Sequence, residues 1–151
     1  MTVFRPVHAT AVARYGPEGW RAVLLTGPSG SGKSDLALQL VGQGWRLVAD
    51  DYCEVWPSGG AVWATAPGRI SGRMEARGLG IIGSPALRLA RVVLIASCGL
   101  SPAERLPEPE TETIVGIALP RIRIHTRPAS APALLQEALK VTLAGLDVAP
   151  L

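Results

Sequence analysis

Apolar residues fall in short blocks rather than evenly along the chain. Ala22-Val23-Leu24-Leu25-Thr26, Arg46-Leu47-Val48-Ala49 and Arg91-Val92-Val93-Leu94-Ile95-Ala96 are brief continuous runs. Runs of this length suit strands buried on both faces. Ile122 to His125 predicts a further strand, and the β-branched and small residues from Val3 to Tyr15 predict one before the first block. Cys53 to Trp56 and Ala61 to Ala64 flank Pro57-Ser58-Gly59-Gly60, the pattern of a hairpin, and Gly16-Pro17-Glu18-Gly19 is a turn. Helical spacing places Leu36, Ala37, Leu40 and Val41 on one face of a helix from Ser34 to Val41, stopped by Gly42 and Gly44. A second helix is predicted from Ala131 to Leu146. Pro67 to Pro85 is rich in Gly and Arg without a clear period and reads as a loop with some helical content. Ser101 to Thr113 is rich in Pro and Glu and reads as exposed and mobile. The order of strand, loop, helix and strand predicts an α/β sandwich with one main mixed sheet.

Composition narrows the class. The 151 residues fit a single domain, and 48% apolar content is enough for a packed core. Aromatic residues make up 5%, so that core must rest on Ala, Val, Leu and Ile. The net charge of +3 is mild and the basic residues are dispersed, which leaves no nucleic-acid footprint. No apolar run reaches the roughly 20 residues of a membrane span. The two cysteines, Cys53 and Cys98, lack the spacing of a zinc site or a disulfide framework and read as reduced thiols of a cytoplasmic protein.

The strongest local signal follows the first apolar block. Gly27-Pro28-Ser29-Gly30-Ser31-Gly32-Lys33-Ser34 meets the pattern G-x-x-x-x-G-K-[ST] in full. Chance produces that pattern in about one chain in two hundred of this length. Its glycines let successive backbone N–H groups turn toward phosphate oxygens, and the following helix adds the positive end of its dipole. Lys33 would reach the β- and γ-phosphates, and the Ser34 hydroxyl would ligate Mg²⁺. ATP or GTP is therefore the expected ligand.

Phosphoryl transfer also needs an anion for the metal and a group that acts on the nucleophile. Asp50 and Asp51 end an apolar strand soon after the loop helix, where strand ends gather around such a site. One carboxylate would take the metal and the other the acceptor's proton. The residues alone do not say which does which.

Three motifs in order carry a family resemblance. The loop Gly27 to Ser34, the run Leu47-Val48-Ala49-Asp50-Asp51, and Glu75-Ala76-Arg77-Gly78-Leu79-Gly80-Ile81-Ile82 resemble the catalytic domain of HPr kinase/phosphorylase, whose signature is close to E-x-R-G-L-G-I-I. The resemblance covers most of the chain and implies a P-loop fold similar to that domain and to PEP carboxykinase. It implies one catalytic domain over residues 1–151, without the N-terminal domain of the long family members. It also implies ATP and Mg²⁺ as cofactors, a serine of an HPr-type phosphocarrier of the phosphotransferase system as substrate, and ring-like hexamers.

The family's roles carry over residue by residue. The resemblance makes Gly27, Pro28, Ser29, Gly30, Ser31 and Gly32 the phosphate cradle, and Lys33 and Ser34 the nucleotide and Mg²⁺ residues. It makes Asp51 the proton acceptor, Asp50 its neighbour on the metal side, and Glu75 a second metal-linked residue. His8 matches a histidine that assists catalysis, and Arg105 matches a catalytic arginine. Arg73 and Arg77 are further candidates to face phosphates. One departure stands out: the family's P-V-R-P-G-R-N segment, tied to dephosphorylation, reads His125-Thr126-Arg127-Pro128-Ala129-Ser130 here. Loss of the Gly-Arg pair predicts a weak reverse reaction. The competing readings are a small-molecule P-loop kinase and a non-enzymatic nucleotide-binding regulator. The signature octapeptide argues against the first, and the retained acidic pair against the second.

Overall fold

The computed structural model describes residues 4–102 and 104–145. In chain order the elements are β1 Arg5–Val7, β2 Thr10–Gly16, β3 Gly19–Thr26, α1 Lys33–Val41, β4 Arg46–Ala49, β5 Cys53–Ser58 and β6 Ala61–Thr65. They continue with β7 Arg73–Ala76, β8 Gly80–Gly83, β9 Leu89–Gly99, β10 Glu110–Ile114, β11 Ile117–His125 and α2 Ala131–Gly145. Nine strands form one curled mixed sheet in the order β1-β5-β6-β9-β3-β2-β4, and β10 and β11 join it through β9.

The long strand β9 organises the sheet. Along one side it runs parallel to β3. Along the other, its first residues, Leu89 to Val92, pair antiparallel with β6, while Ile95 to Gly99 pair parallel with β11. Both faces of this centre are covered, so Ala22, Val23, Leu24 and Leu25 are all fully buried in succession. On one face α1 and α2 lay Leu36, Leu40, Leu135 and Leu139 against Val23, Leu25 and Leu94. Each such leucine contributes about 1.5–3 kcal/mol by leaving water. The second core, including Leu24, Val48, Val55, Val62, Val92 and Ile95, takes its side chains from the sheet and its loops alone. Curling the sheet on itself covers that face without a third layer of helices.

Helix α1 ends where Gly42, Gln43 and Gly44 donate their N–H groups to the carbonyls of Leu38, Leu40 and Val41. Gly44 adopts φ +98°, a region open to glycine at little cost, and the chain returns to bury Trp45 at 1% exposure. Strand β4 has the bounds its apolar run predicted, and the 53–64 segment is the expected hairpin.

Three segments differ from the sequence reading. The Val3–Tyr15 strand is two strands, β1 and β2, with His8 between them; Val3 itself lies outside the described residues, as does Leu146 at the predicted end of α2. The Gly/Arg-rich segment is a 3-10 turn at Gly68–Ile70 followed by the antiparallel hairpin β7–β8. Its period of two is present, with Met74 and Ala76 buried and Arg73 and Glu75 exposed, but it lasts only four residues. The Pro/Glu-rich stretch ends in β10, which pairs with β11 through a two-residue turn with positive φ at Val115 (+44°) and Gly116 (+80°). That geometry favours Asn-Gly, and Val at its first position hid the turn. Glu110 and Glu112 in β10 then meet Arg123 and Arg121 at 3.0 and 3.4 Å.

Cys53 and Cys98 are buried free thiols, and desolvation pushes each up to about 12 from 9.0; the charge of Lys33 partly offsets this at Cys98. Each folded-state thiol therefore keeps its proton between about pH 9 and pH 12, where the unfolded chain loses it. Stability present below that window falls as pH rises through it, by about 1.4 kcal/mol per pH unit for each thiol. At pH 8 the thiolate fraction is about one in ten thousand. Iodoacetamide should label both cysteines at least a hundredfold more slowly in the native protein than in guanidinium, and native labelling at the unfolded rate would contradict this burial.

Candidate functional site

The phosphate loop joins the C-terminal end of β3 to the start of α1. Gly27, Gly30 and Gly32 have φ of +133°, +85° and +91°, so side chains there would be strained. Space is also short. A Cβ on Gly27 would lie 2.7 Å from the Cys98 carbonyl oxygen, and one on Gly32 would lie 2.4 Å from Thr126 Oγ1. Gly32 caps α1 without any side-chain hydrogen bond, which leaves the first helical amides available to a ligand. Ser31 Oγ is buried and has no hydrogen-bond partner among the described residues. Lys33 is 5% exposed, and its Nζ donates to the loop's own carbonyls at Gly27 and, at 3.3 Å, Pro28.

The two aspartates divide sharply. Asp50 is 8% exposed and its carboxylate is surrounded by donors. Oδ1 accepts from Ser34 Oγ at 2.7 Å and from Thr10 Oγ1 at 3.1 Å, and Oδ2 accepts from the Glu75 N–H at 3.0 Å. Asp51 follows in a three-residue turn closed by the Tyr52 N–H on the Asp50 carbonyl at 2.8 Å, with φ +69° at its centre. Such a conformation costs about 1–3 kcal/mol and collects at functional sites. It interrupts strand alternation, so both carboxylates line the same cleft. The Asp51 side chain is 49% exposed, and its Oδ1 lies 2.6 Å from His8 Nε2. An ionised carboxylate only accepts, so Nε2 carries the hydrogen in this contact and Oδ2 has no partner from His8. The Asp51 backbone N–H donates to Thr10 Oγ1 at 3.1 Å, which ties both aspartates to the start of β2.

These groups surround a cleft of about 590 Å³, lined by the loop from Pro28 to Ser34, Asp50, Asp51, Glu75, Arg77, Thr126 and Arg127. The β7–β8 hairpin carries Glu75 and Arg77 there, and the chain leaving β11 carries Thr126 and Arg127. The structure does not bring Arg105 to the cleft: it is exposed on the irregular stretch before β10. Arg73 is exposed on β7 and is also off the lining. Sequence reasoning missed Thr126, which is 6% exposed and donates to the Ser31 carbonyl at 2.6 Å. Nothing in the sequence pairs positions 95 residues apart.

Among the described residues, no group of three or more His, Cys, Asp or Glu side chains is placed to hold a metal by itself. The adjacent Ser34 and Asp50 oxygens fit Mg²⁺, which takes one or two protein oxygens and completes its shell with water and phosphate. The glycine cradle and the orphaned Ser31 hydroxyl fit a polyphosphate.

The sequence profile of the HPr Serine kinase C-terminal domain matches residues 5–144. An HPr kinase/phosphorylase of Geobacillus thermodenitrificans is 38% identical over 144 residues, covering 87% of this chain and 45% of that protein. One from Clostridium novyi is 44% identical over 81 residues, covering 54% of this chain and 25% of its own length. The chain thus spans less than half the length of these curated relatives. The solved structure of the Hpr(Ser) kinase/phosphatase from Coxiella burnetii superposes with a TM-score of 0.78 at 24% identity, over 95% of this chain and 99% of that one.

Proposed function

The chain belongs to the family of HPr serine kinase C-terminal domains, and from that premise we propose that it transfers the γ-phosphoryl group of ATP to a serine hydroxyl of an HPr-type phosphocarrier in the cytoplasm. The observation that carries this reading is the position of Asp51: an accessible carboxylate, held by His8, on the wall of a phosphate-loop cleft. A protein that only bound nucleotide would need no such base.

Each residue then has a stated task. The loop amides and Lys33 hold the phosphates, with Lys33 Nζ leaving the carbonyls of Gly27 and Pro28 for the ligand's oxygens. Mg²⁺, when bound at Ser34 and Asp50, supplies charge neutralisation between the phosphates. Asp50 is kept in place by Thr10 and by the Glu75 amide, and the Glu75 carboxylate adds a second anion on the metal side of the cleft. Asp51 accepts the serine proton as the hydroxyl oxygen attacks the γ-phosphorus and the bond from that phosphorus to the β–γ bridging oxygen breaks to release ADP, and His8 orients its carboxylate by occupying Oδ1. Arg77 and Arg127 line the cleft and would stabilise the charge on the transferring group, whereas Arg105 lies off that lining. Positioning and electrostatics account for such a transfer without a covalent enzyme intermediate.

The test uses the purified protein with γ-labelled ATP, Mg²⁺ and an HPr-type carrier. Label should appear on a carrier serine, and Lys33→Ala should reduce its rate at least a hundredfold. Equal labelling by wild type and Lys33→Ala would overturn the reading. Inorganic phosphate should strip label from the phosphorylated carrier only slowly, because the Gly-Arg pair after Arg127-Pro128 is replaced by Ala129-Ser130.

A further inference from the structure

We infer that Thr126 is a positioning residue for nucleotide binding: its hydroxyl aims the Gly32 amide at the phosphate. The inference rests on the phosphate-loop reading above. Ser31 O lies just before the helix cap, so no helical amide reaches it, since the first helical bond runs from the Leu36 N–H to the Gly32 carbonyl. Thr126 Oγ1 takes that place, donating to Ser31 O at 2.6 Å in a buried contact. A hydroxyl has one hydrogen, and the competing acceptor, the Gly99 carbonyl, is farther away at 3.4 Å.

The consequence follows from peptide geometry. Ser31 C=O and Gly32 N–H belong to one planar trans unit and point in opposite directions. Fixing the carbonyl on Thr126 therefore fixes the Gly32 N–H away from Thr126. Without the hydroxyl this peptide is free to rotate, because Gly32 has no side chain to restrain it and tolerates both signs of φ. Thr126 is itself anchored: its N–H donates to Gly99 O at 3.1 Å, at the end of the β9–β11 pairing. Its bulk also stands against the Gly32 α-carbon, where a Cβ would lie 2.9 Å from Thr126 Cβ. The sheet thereby holds the loop in its phosphate-accepting shape before a ligand arrives, which lowers the ordering cost of binding.

The test compares wild type with Thr126→Val, Thr126→Ala and Thr126→Ser in the intact protein. Calorimetric titrations with Mg-ADP and with magnesium pyrophosphate are run at a temperature where circular dichroism shows each variant folded. Val keeps the shape without the hydroxyl, Ala removes both, and Ser keeps the hydroxyl. We expect Val and Ala to weaken both ligands about tenfold, and Ser to restore most of the affinity. Pyrophosphate should also shift the Gly32 amide resonance in wild type and the Ser variant, and shift it less in the other two. Wild-type affinity in a folded Val or Ala variant would overturn the inference. So would equal losses in all three variants, which would mark a packing role. Failure of wild type to bind either ligand would instead remove the nucleotide reading, and this inference with it.

Discussion

Asp51→Asn is expected to lower kcat for carrier phosphorylation by about a hundred- to ten-thousandfold while leaving the fold and nucleotide affinity nearly unchanged. General-base catalysis contributes about that factor. Asn has the same shape but cannot take the serine proton at neutral pH. The side chain is about half exposed, and its side-chain partner, His8, is 43% exposed, so the weakened contact is worth at most about 1 kcal/mol. Asp51 makes no hydrogen bond to the phosphate loop, so ADP should bind the variant within a few-fold of wild type. His8→Ala should cost less on its own, and little more in the Asp51→Asn background, because His8 acts through the carboxylate. Wild-type kcat in Asp51→Asn would remove the proton-acceptor role.

Where the signal is local in sequence, the structure follows it. The strand before the phosphate loop, the helix after it and the β4 run are each carried by contiguous residues, and they appear where their patterns placed them. The β7–β8 hairpin and β10 were hidden for local reasons: four-residue strands, and a turn with Val where Asn is usual. The residues themselves left open which of Asp50 and Asp51 faces the metal, and only the family resemblance assigned it. The division depends on a turn conformation at Asp51 and on Thr10, 40 positions before Asp50 and on another strand. Arg105 shows how little a loop position says about place. An arginine in a polar loop fits a phosphate role equally well wherever the loop goes, and only the fold shows that Arg77 and Arg127 are the ones on the cleft. Motif spacing thus identifies chemistry within a segment, while roles shared between segments need the sheet that joins them.

Asp50 is where site and fold meet, and Asp50→Ala should damage both. Its carboxylate accepts three hydrogen bonds from three elements, α1 through Ser34, β2 through Thr10 and β7 through Glu75. Alanine leaves those donors facing a small void. Ser34 can turn to water in the cleft, but Thr10 is fully buried. A buried donor stripped of its acceptor costs about 1–3 kcal/mol, so the total should be about 2–4 kcal/mol, or a fall in Tm of about 5–15 °C for a chain of this size. Carrier phosphorylation should drop below detection, since the metal loses its carboxylate. Thr10→Val separates the two effects. It removes one of the three bonds and the acceptor of the Asp51 N–H, but it touches neither metal nor nucleotide. It should lower Tm by a smaller amount, and it should lower kcat only as far as Asp51 moves. Scanning calorimetry beside the labelled-ATP assay reads both. A Tm for Asp50→Ala equal to wild type would show that the three donors find other partners, and that the carboxylate is held for the metal alone.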